Sequence, residues 1–420
     1  MTFINSIRKS VVKTGNIIIG LCGVILAAAF YFTVTGWNGR RPEPELFHPN
    51  GQAFAGSQQC VSCHSDISNA HRNTAHFRTS AVADRNTIKG DFTPGRNVYV
   101  FNTRDRMVAE ARDTGFFQAG YRDDRLLGEQ RMDVVIGSGT KGQSYLHWLD
   151  NTLVQLPLSY YTPDDSWSSS PGYPHDRMII NRPVTAPCLN CHSTFFNTTY
   201  QLNMMPEFDR KLNILGIDCE RCHGPGLQHV LSREKGSDFT PGKEIINPAR
   251  LSRQQQLDAC AQCHSGINTD PKAPFTFLPG DSLGLDLTSF QRYDTSATAE
   301  VHGNQYGMLA SSKCFIKSEM TCSTCHRPHA AERGSAAAFS ARCITCHGAG
   351  HEKKCAMEKE LGVLISGKCP DCHMPVRPSG KIAFRVAGGT ARAELARSHF
   401  ISVYREHSRE IANKIRGMGR

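Results

Sequence analysis

The sequence has few hydrophobic residues for its length. They make up 39% of its 420 residues, although a chain this long would ordinarily fold into two or three domains. Leu, Val and Ile alone cannot give such a chain a large core, so another source of apolar surface is needed. The low hydrophobic content therefore argues against a protein stabilised only by ordinary helix and sheet packing.

Two further features are missing. The chain has no internal repeat of fixed period, which argues against a solenoid or repeat array. The Gly-rich stretch at 137–142 lacks both the Walker spacing and a following helix, so it is interpreted as a turn and not as a phosphate-binding loop.

What the chain does contain is the phrase Cys-x-x-Cys-His, seven times. These phrases are numbered here motif 1 to motif 7. In chain order they are Cys60/Cys63/His64, Cys188/Cys191/His192, Cys219/Cys222/His223, Cys260/Cys263/His264, Cys322/Cys325/His326, Cys343/Cys346/His347 and Cys369/Cys372/His373.

This spacing is that of a c-type haem attachment site. One helical turn presents both thiols to one edge of the porphyrin, and the His that follows coordinates the iron. Zinc knuckles, thioredoxin-like sites and disulfide pairs do not require a His after the second Cys, whereas all seven phrases here have one. The motifs therefore predict seven covalently attached haem c groups, with the fourteen Cys binding the cofactors and the seven His as proximal ligands.

The formal net charge of +10 does not indicate a nucleic-acid partner. Seven haems carry fourteen propionates, which outnumber this positive excess. Many of the Lys and Arg side chains are therefore expected to pair with propionates.

An uncharged run over Ile17–Trp37 is long enough to cross a bilayer once. It predicts a transmembrane anchor over residues 17–37, a cytoplasmic segment over 1–16 and a linker over 38–56. The expected location is the inner membrane, single-pass, with the globular part in the periplasm, where haem attachment of this kind takes place. A signal peptide cleaved near Ala27–Ala29 is the alternative.

The rest of the sequence predicts a protein that is mainly α-helical and irregular, with the haems as its core and a small antiparallel β insertion. Predicted strands at Asn97–Phe101 and Met132–Ile136, and a hairpin around Asp150-Asn151, place this insertion at 91–187. The other predicted segments are a first haem segment at 57–90, a six-haem region at 188–389 and a C-terminal amphipathic helix at 390–420.

A low-spin electron-transfer haem needs a second axial ligand, usually His or Met. Eleven His lie outside the motifs. The distal candidates are His76, His229, His302, His329, His351 and His399. Candidates for the seventh iron are His71, His147 and His175, while His48 and His407 fit least well.

Three Cys lie outside the motifs: Cys22, Cys314 and Cys355. Cys22 belongs to the apolar run. The other two are predicted to form a disulfide, as spare thiols outside the cytoplasm commonly do.

The stretches Gly216–His229, Met320–His329 and Cys369–Pro375 resemble the periplasmic multihaem cytochrome c family, which includes tetrahaem electron carriers, hydroxylamine oxidoreductases and multihaem nitrite reductases. The resemblance covers Ser57–Pro375. It implies mostly bis-His haems in closely stacked pairs, a shared function in electron transfer, and His229 and His329 as distal ligands. The chain lacks the Lys-terminated phrase of the pentahaem nitrite reductases, and it has seven motifs where hydroxylamine-oxidising enzymes carry eight haems.

One function and two alternatives are therefore expected from the sequence. The first is a membrane-anchored electron carrier of a periplasmic respiratory chain, working with donor and acceptor redox proteins or a quinol-linked complex. The alternatives are a terminal reductase of a small nitrogen or sulfur compound at one open haem, and a haem subunit of a larger respiratory complex.

Overall fold

The fold was analysed in a computed structural model, which describes residues 46–200, 205–236, 244–266, 272–284, 300, 302–348, 355–386 and 389–418. The elements below belong to the unit Phe47–Arg420. In the described part of the chain the helices are α1 (Ser57–Val61), α2 (Ser65–His71), α3 (Ala186–His192), α4 (Cys219–His223), α5 (Leu227–Glu234), α6 (Arg253–His264), α7 (Gln305–Ala310), α8 (Lys313–Ile316), α9 (Cys322–Cys325), α10 (Ala336–His347), α11 (Glu358–Leu361), α12 (Cys369–His373) and α13 (Arg405–Met418).

The strands of the same residues are β1 (Ser80–Val82), β2 (Val98–Val100), β3 (Asp105–Arg112), β4 (Gly115–Arg122), β5 (Arg125–Arg131), β6 (Val134–Ile136), β7 (Gly142–Leu149), β8 (Thr152–Gln155), β9 (Leu158–Tyr161), β10 (Ser166–Ser169), β11 (Arg182–Pro183), β12 (Ser193–Tyr200), β13 (Pro206–Leu215), β14 (Val376–Arg385) and β15 (Ala391–Arg397).

The strands form antiparallel sheets. A seven-stranded sheet has the order β1-β6-β7-β8-β11, with β9 also paired to β7 and β10 to β9, and a four-stranded sheet has the order β2-β3-β4-β5. Two hairpins, β12–β13 and β14–β15, directly follow motif 2 and motif 7. The predicted strands near residues 98 and 134 are confirmed, and so is the hairpin across Asp150-Asn151, which joins β7 to β8.

The prediction of a mainly α-helical protein with a small β insertion is wrong, because the described β structure is extensive and continues beyond residue 187. Two-residue turns extend the sheet: Asp113-Thr114 joins β3 to β4, and Asp123-Asp124 joins β4 to β5. Both Asp123 and Asp124 have positive φ angles, 47° and 64°, as tight hairpin turns of the primed types require.

The predicted C-terminal helix at 390–420 begins later than expected. Its first part is strand β15, in which Leu395 pairs with Pro378 of β14. The helix itself, α13, starts at Arg405. The alternating Ala and charged residues of Ala391–Arg397 fit a hairpin edge as well as a helix face, and the adjacent β14 provides the pairing partner.

The predicted membrane anchor at 17–37 lies outside the described residues. Within the described ranges, no helix is both long and apolar enough to cross a membrane. The predicted single-pass placement in the inner membrane is corrected on this finding and is not retained.

Two regions differ in how they are packed. The β region, which we define as residues 98–169, has a core between its sheets, with side chains from several strands: Tyr99, Phe101, Met107, Ala109, Met132, Val135, Tyr145, Leu156, Leu158, Tyr160 and Trp167. The motif region, residues 186–373, has a smaller apolar cluster around α6 and α7: Leu257, Ala261, Phe277, Leu283, Tyr306, Ala310 and Phe315.

Candidate haem-binding sites

Each motif lies on or beside a short helix. Motifs 2, 3, 4, 6 and 7 end their helices with the motif His, and in motif 5 the His follows the last residue of α9. Because residues three positions apart lie on one face of a helical turn, the two Cys of each of these six motifs are on the same side of their helix. This is the arrangement needed to bind one edge of a porphyrin.

Motif 1 departs from this arrangement at Cys63. Helix α1 ends at Val61, so Cys63 lies outside the helix, with its side chain exposed, in the turn that leads to His64. Helix α1 ends there because the chain leaves the helical conformation at His64, which has φ −119° and ψ 41°.

The turn at motif 1 nevertheless keeps its two Cys close together. The backbone N–H groups of Cys63 and His64 both donate to the Cys60 carbonyl, at 3.3 and 2.9 Å. These hydrogen bonds span three and four residues, as in one turn of helix. The attachment of haem through Cys63 therefore stays a prediction.

Local capping explains why such short helices form. The Asp218 side chain accepts a hydrogen bond from the Cys219 N–H at 2.7 Å at the start of α4. Ser252 and Gln255 form a reciprocal capping box at the start of α6. Helix α12 has Pro370 in its first turn, where a missing N–H costs nothing.

Three motif His residues face a second His across a short gap. The ring centres of His264 and His76 are 6.1 Å apart, those of His223 and His329 are 6.0 Å apart, and those of His326 and His399 are 6.3 Å apart. A metal–imidazole bond is about 2 Å long and a ring nitrogen lies about 1.1 Å from its ring centre, so two imidazoles on one metal ion have centres about 6 Å apart. The three separations therefore match pairs of imidazoles that share one iron.

Two further motif His residues have a second His close enough to interact electrostatically. Burial lowers the pKa of His192, and His302 adds to this shift. Burial also lowers the pKa of His229, where His64 contributes in the same direction but less than Arg233. Five of the six distal candidates thus lie near a motif His: His76, His229, His302, His329 and His399. The sixth, His351, lies outside the described residues.

Hydrogen bonds at Nδ1 orient several of these rings. Nδ1 of His223 donates to the Ile246 carbonyl at 2.8 Å, and Nδ1 of His264 donates to the Gln305 side-chain oxygen at 3.0 Å. Nδ1 of His373 donates to the Ser402 carbonyl at 2.9 Å. A bond of this kind fixes the tautomer and leaves Nε2 as the ligating atom.

His192 and His399 show the same pattern. Nδ1 of His192 is hydrogen-bonded to the Thr79 hydroxyl at 3.0 Å, and Nδ1 of His399 donates to the Arg397 carbonyl at 3.2 Å. Sequence reasoning missed these orienting partners, since a backbone carbonyl leaves no signal in the side-chain pattern.

Desolvation keeps three of these imidazoles uncharged. It lowers the pKa of His76, His192 and His399 to about 4 in each case. A His must be neutral to donate its lone pair to a metal. The tautomer, the charge state and the ring separations together fit axial ligation of haem iron by these residues.

Of the three candidates for the seventh iron, His71 has its ring centre 6.1 Å from that of His329. Its Nε2 donates to the Ile217 carbonyl at 2.9 Å, and His329 already faces His223 with nearly parallel rings. His147 is bonded through Nδ1 to Asp133 at 2.8 Å, and His175 is exposed.

The two His that fit least well are both bonded elsewhere. His48 is buried, and its Nδ1 accepts a hydrogen bond from the Asn50 N–H at 3.2 Å. Nε2 of His407 donates to the Asp371 carbonyl at 2.8 Å.

The thiols of neighbouring motifs touch one another. Contacts join Cys60 to Cys219, Cys191 to Cys263, Cys260 to Cys322, and Cys343 to Cys369. Each contact connects two different motifs, so the motifs lie side by side in the structure.

The predicted disulfide between Cys314 and Cys355 is wrong, because both are free thiols. Cys314 lies near Cys346 of motif 6, whereas Cys355 lies near Cys372 of motif 7. The two spare Cys therefore lie beside different motifs.

A cavity of about 260 Å³ adjoins motif 2. It is lined by residues of β1, β5, β6, β7, β12 and β13, including Arg131 and Arg210. Its lining residue Leu215 pairs with Ser193, the residue after His192. In the described ranges no group of three or more His, Cys, Asp or Glu is arranged to hold a metal ion by itself.

Comparison with known proteins gives three results. The family profile "Cytochrome c554 and c-prime" matches residues 175–224, which include motifs 2 and 3. "Multiheme cytochrome MtrA" of Shewanella baltica (strain OS185) is 25% identical over 158 residues, which is 33% of this chain and 44% of MtrA. The chain thus matches less than half the length of this relative.

The crystal structure of "Outer Cell Wall Cytochrome OcwA" superposes with a TM-score of 0.51 at 15% identity, over 86% of this chain and 82% of OcwA. At this identity the likeness concerns the fold. Together with the motifs, these matches support a multihaem c-type cytochrome family for this chain, a family that binds haem c covalently.

Proposed function

We propose that this chain carries seven covalently attached haems and passes single electrons between a donor and an acceptor redox protein, or a quinol-linked complex. The observation that carries the proposal is the set of second His residues that lie beside motif His residues. Five motifs have such a second His: motifs 1, 2, 3, 4 and 5.

Haem iron supplies a one-electron couple between its ferric and ferrous states. The residues of this chain determine what that couple is able to do. In three motifs a His on each side would hold the iron, since the ring centres are 6.0–6.3 Å apart. Such an iron would have no vacant position for a small molecule, so these sites are suited to outer-sphere electron transfer.

The surroundings of the rings support the same function. Desolvation lowers the pKa of His76, His192 and His399 to about 4 in each case. Hydrogen bonds from Nδ1 hold several of the rings in one orientation. Fixed ligands and excluded water favour repeated electron exchange without rearrangement of the site.

The alternative, a terminal reductase of a small nitrogen or sulfur compound, requires one iron with an open position. The five motifs that have a nearby second His do not favour it. An open site would have to be at motif 6 or motif 7, and the remaining distal candidate, His351, lies outside the described residues.

The test begins with the mass of the mature protein. We expect covalent addition of seven haems, one at each motif, and no zinc. Finding zinc at the motifs, or haem that acid acetone extracts, would overturn the proposal.

The ligand assignment is tested with His399→Ala, compared with His147→Ala as the matched control. His399→Ala should add one high-spin iron and one carbon monoxide site per protein relative to the wild type, because the iron of motif 5 loses an axial ligand. His147 is bonded to Asp133 and lies outside the His pairs, so its replacement should add neither. An unchanged spin state in His399→Ala would show that His399 is not the second ligand of the iron at motif 5.

A further inference from the structure

The spatial order of the motifs departs from their order in the chain at motif 1. Motif 1 is followed in the sequence by motif 2, yet its thiol Cys60 contacts Cys219 of motif 3. Helix α1 also packs on α4, the helix of motif 3. The backbone N–H groups of Ala55 and Gly56 donate to the Glu220 carboxylate of motif 3 at 2.8 and 2.9 Å.

Motif 2 is instead placed with motifs 3 and 4. Its Cys191 contacts Cys263 of motif 4, and α3 packs on α6. Between its two Cys lies Asn190, whose carbonyl and side-chain oxygens both accept hydrogen bonds at 2.9 Å from Arg221 of motif 3. Motifs 2, 3 and 4 therefore form one cluster.

The remaining motifs continue from motif 4 in a line. Cys260 of motif 4 contacts Cys322 of motif 5, and α9 of motif 5 packs on α10 of motif 6. The next link is between motifs 6 and 7, where Cys343 contacts Cys369. The Ser340 hydroxyl of α10 also accepts a hydrogen bond from the Cys369 N–H at 3.0 Å.

These contacts bear on electron flow, because the thiols are the atoms that attach to the porphyrin edge. Two motifs with touching thiols bring the edges of their haems together. Electrons then pass between motifs that are adjacent in space, whatever their order in the chain.

We propose that the electron path runs from motif 1 to motif 3, through the cluster of motifs 2, 3 and 4, and on through motifs 5 and 6 to motif 7. Motifs 1 and 7 are the two ends, at which the redox partners exchange electrons. This inference rests on the proposed function and adds the order of the haems and the position of the partner sites.

The test uses coupling between pairs of opened irons, measured by electron paramagnetic resonance. Three double variants remove distal ligands from two motifs each. His229→Ala with His302→Ala opens motifs 1 and 2, His229→Ala with His329→Ala opens motifs 1 and 3, and His302→Ala with His76→Ala opens motifs 2 and 4. The corresponding single variants provide the reference spectra.

We expect motifs 1 and 2 to behave independently, so that the spectrum of their double variant is the sum of the two single spectra. The pairs of motifs 1 and 3 and of motifs 2 and 4 should instead show broadened high-spin signals, because the two spins are adjacent. Coupling between motifs 1 and 2, or its absence in the other two pairs, would overturn the proposed order.

The outcome of this test distinguishes a failure of the proposed function from a failure of the proposed electron path. If the single variants give no high-spin signal, the ligand assignment of the proposed function fails. If the single variants give the signal but the pairs couple in chain order, only the path fails. Haem content by mass and the remaining low-spin signals identify any variant that does not fold. For the motif of such a variant, the distal His is replaced with Met instead. Met retains an axial ligand, and the altered spectrum then provides the second probe.

Discussion

The β region and the motif region use different sources of stability. In the β region, aromatic and aliphatic side chains pack between sheets: Trp167 is only 2% exposed and lies against Tyr145, Tyr160 and Phe92. In the motif region, short helices end at motif His residues, and the apolar cluster is smaller. The difference explains how a chain with 39% hydrophobic residues forms ordered structure: one region has its own core, and the other is expected to depend on the haems.

The difference in the source of stability between the β region and the motif region is tested most strongly by removing one haem from the centre of the motif region. Cys260→Ser combined with Cys263→Ser prevents attachment at motif 4, which contacts motifs 2 and 5. We expect amide hydrogen exchange to lose protection in α4, α6 and α9 while β3 and β4 keep theirs. Cys314→Ser, which removes a spare thiol, is the control, and equal loss of protection in both regions would contradict the comparison.

A large-to-small change in the β region should give the reverse result. Trp167→Ala leaves a cavity in the core and removes the hydrogen bond from Nε1 to the Asp91 carbonyl, so the free energy of unfolding of this region should fall by about 3–5 kcal/mol. Haem absorption should stay as in the wild type. Trp167→Phe separates volume from hydrogen bonding and should cost less. A changed haem spectrum in Trp167→Ala would show that the two regions are not independent.

A smaller effect is expected where a buried carboxylate connects motifs 1 and 3. The Glu220 side chain is 5% exposed and accepts hydrogen bonds from the N–H groups of Ala55, Gly56 and Gly226. Glu220→Gln replaces a charged acceptor with a neutral one, so the free energy of unfolding of the motif region should fall by about 2 kcal/mol. Glu234→Gln, at an exposed helix end, is the control and should be neutral. Equal stability of the two variants in chemical denaturation would argue against this role of Glu220.

The smallest effect concerns pH in the β region. The Arg122 guanidinium beside Asp105 holds the pKa of this buried carboxyl below its ordinary value. A depressed pKa in the folded state means that the pair stabilises the protein above the unfolded pKa, about 4, and that this contribution is lost as the pH falls through the folded pKa. Asp105→Asn should therefore lower stability at pH 7 and have less effect in acid, as measured by denaturation at both pH values. The exposed Asp113→Asn is the control, and an effect of Asp105→Asn that does not change with pH would contradict the assignment.

The haem motifs could be predicted from the sequence because each one is a short, continuous stretch of the chain. Attachment fixes the spacing of two Cys and one His within one turn, so the seven motifs stand out without knowledge of the fold. The distal candidates followed from the need for a second ligand, and five of them lie near a motif His. Which His faces which motif depends on contacts between distant residues, such as His399 with His326, and the sequence carries no mark of them.

The predictions that the structure contradicts were wrong for physical reasons. The extent of the sheets was underestimated because β4 and β5 are joined by Asp123-Asp124, a turn without the Gly that usually marks a hairpin. The disulfide was inferred from the number of spare Cys alone. Disulfide formation requires proximity, and Cys314 and Cys355 lie near different motifs.

The end of helix α1 within motif 1 could not be predicted from the sequence either. The motif spacing alone does not specify how far a helix extends, because one helical turn and an isolated turn hold the two Cys equally close. At motif 1 the helix α1 stops at Val61, and Cys63 lies in the turn that follows. The spacing predicted the pair of thiols but not the element that carries the second one.

The central claim is that His residues paired across short gaps are the axial ligands of the haem irons. Its most direct test is the low-temperature electron paramagnetic resonance spectrum of the fully oxidised wild-type protein, integrated against its haem content. The account predicts low-spin signals from at least the five irons of motifs 1 to 5, with any high-spin iron restricted to motifs 6 and 7. Fewer than five low-spin irons in a protein with all its haems attached would contradict it.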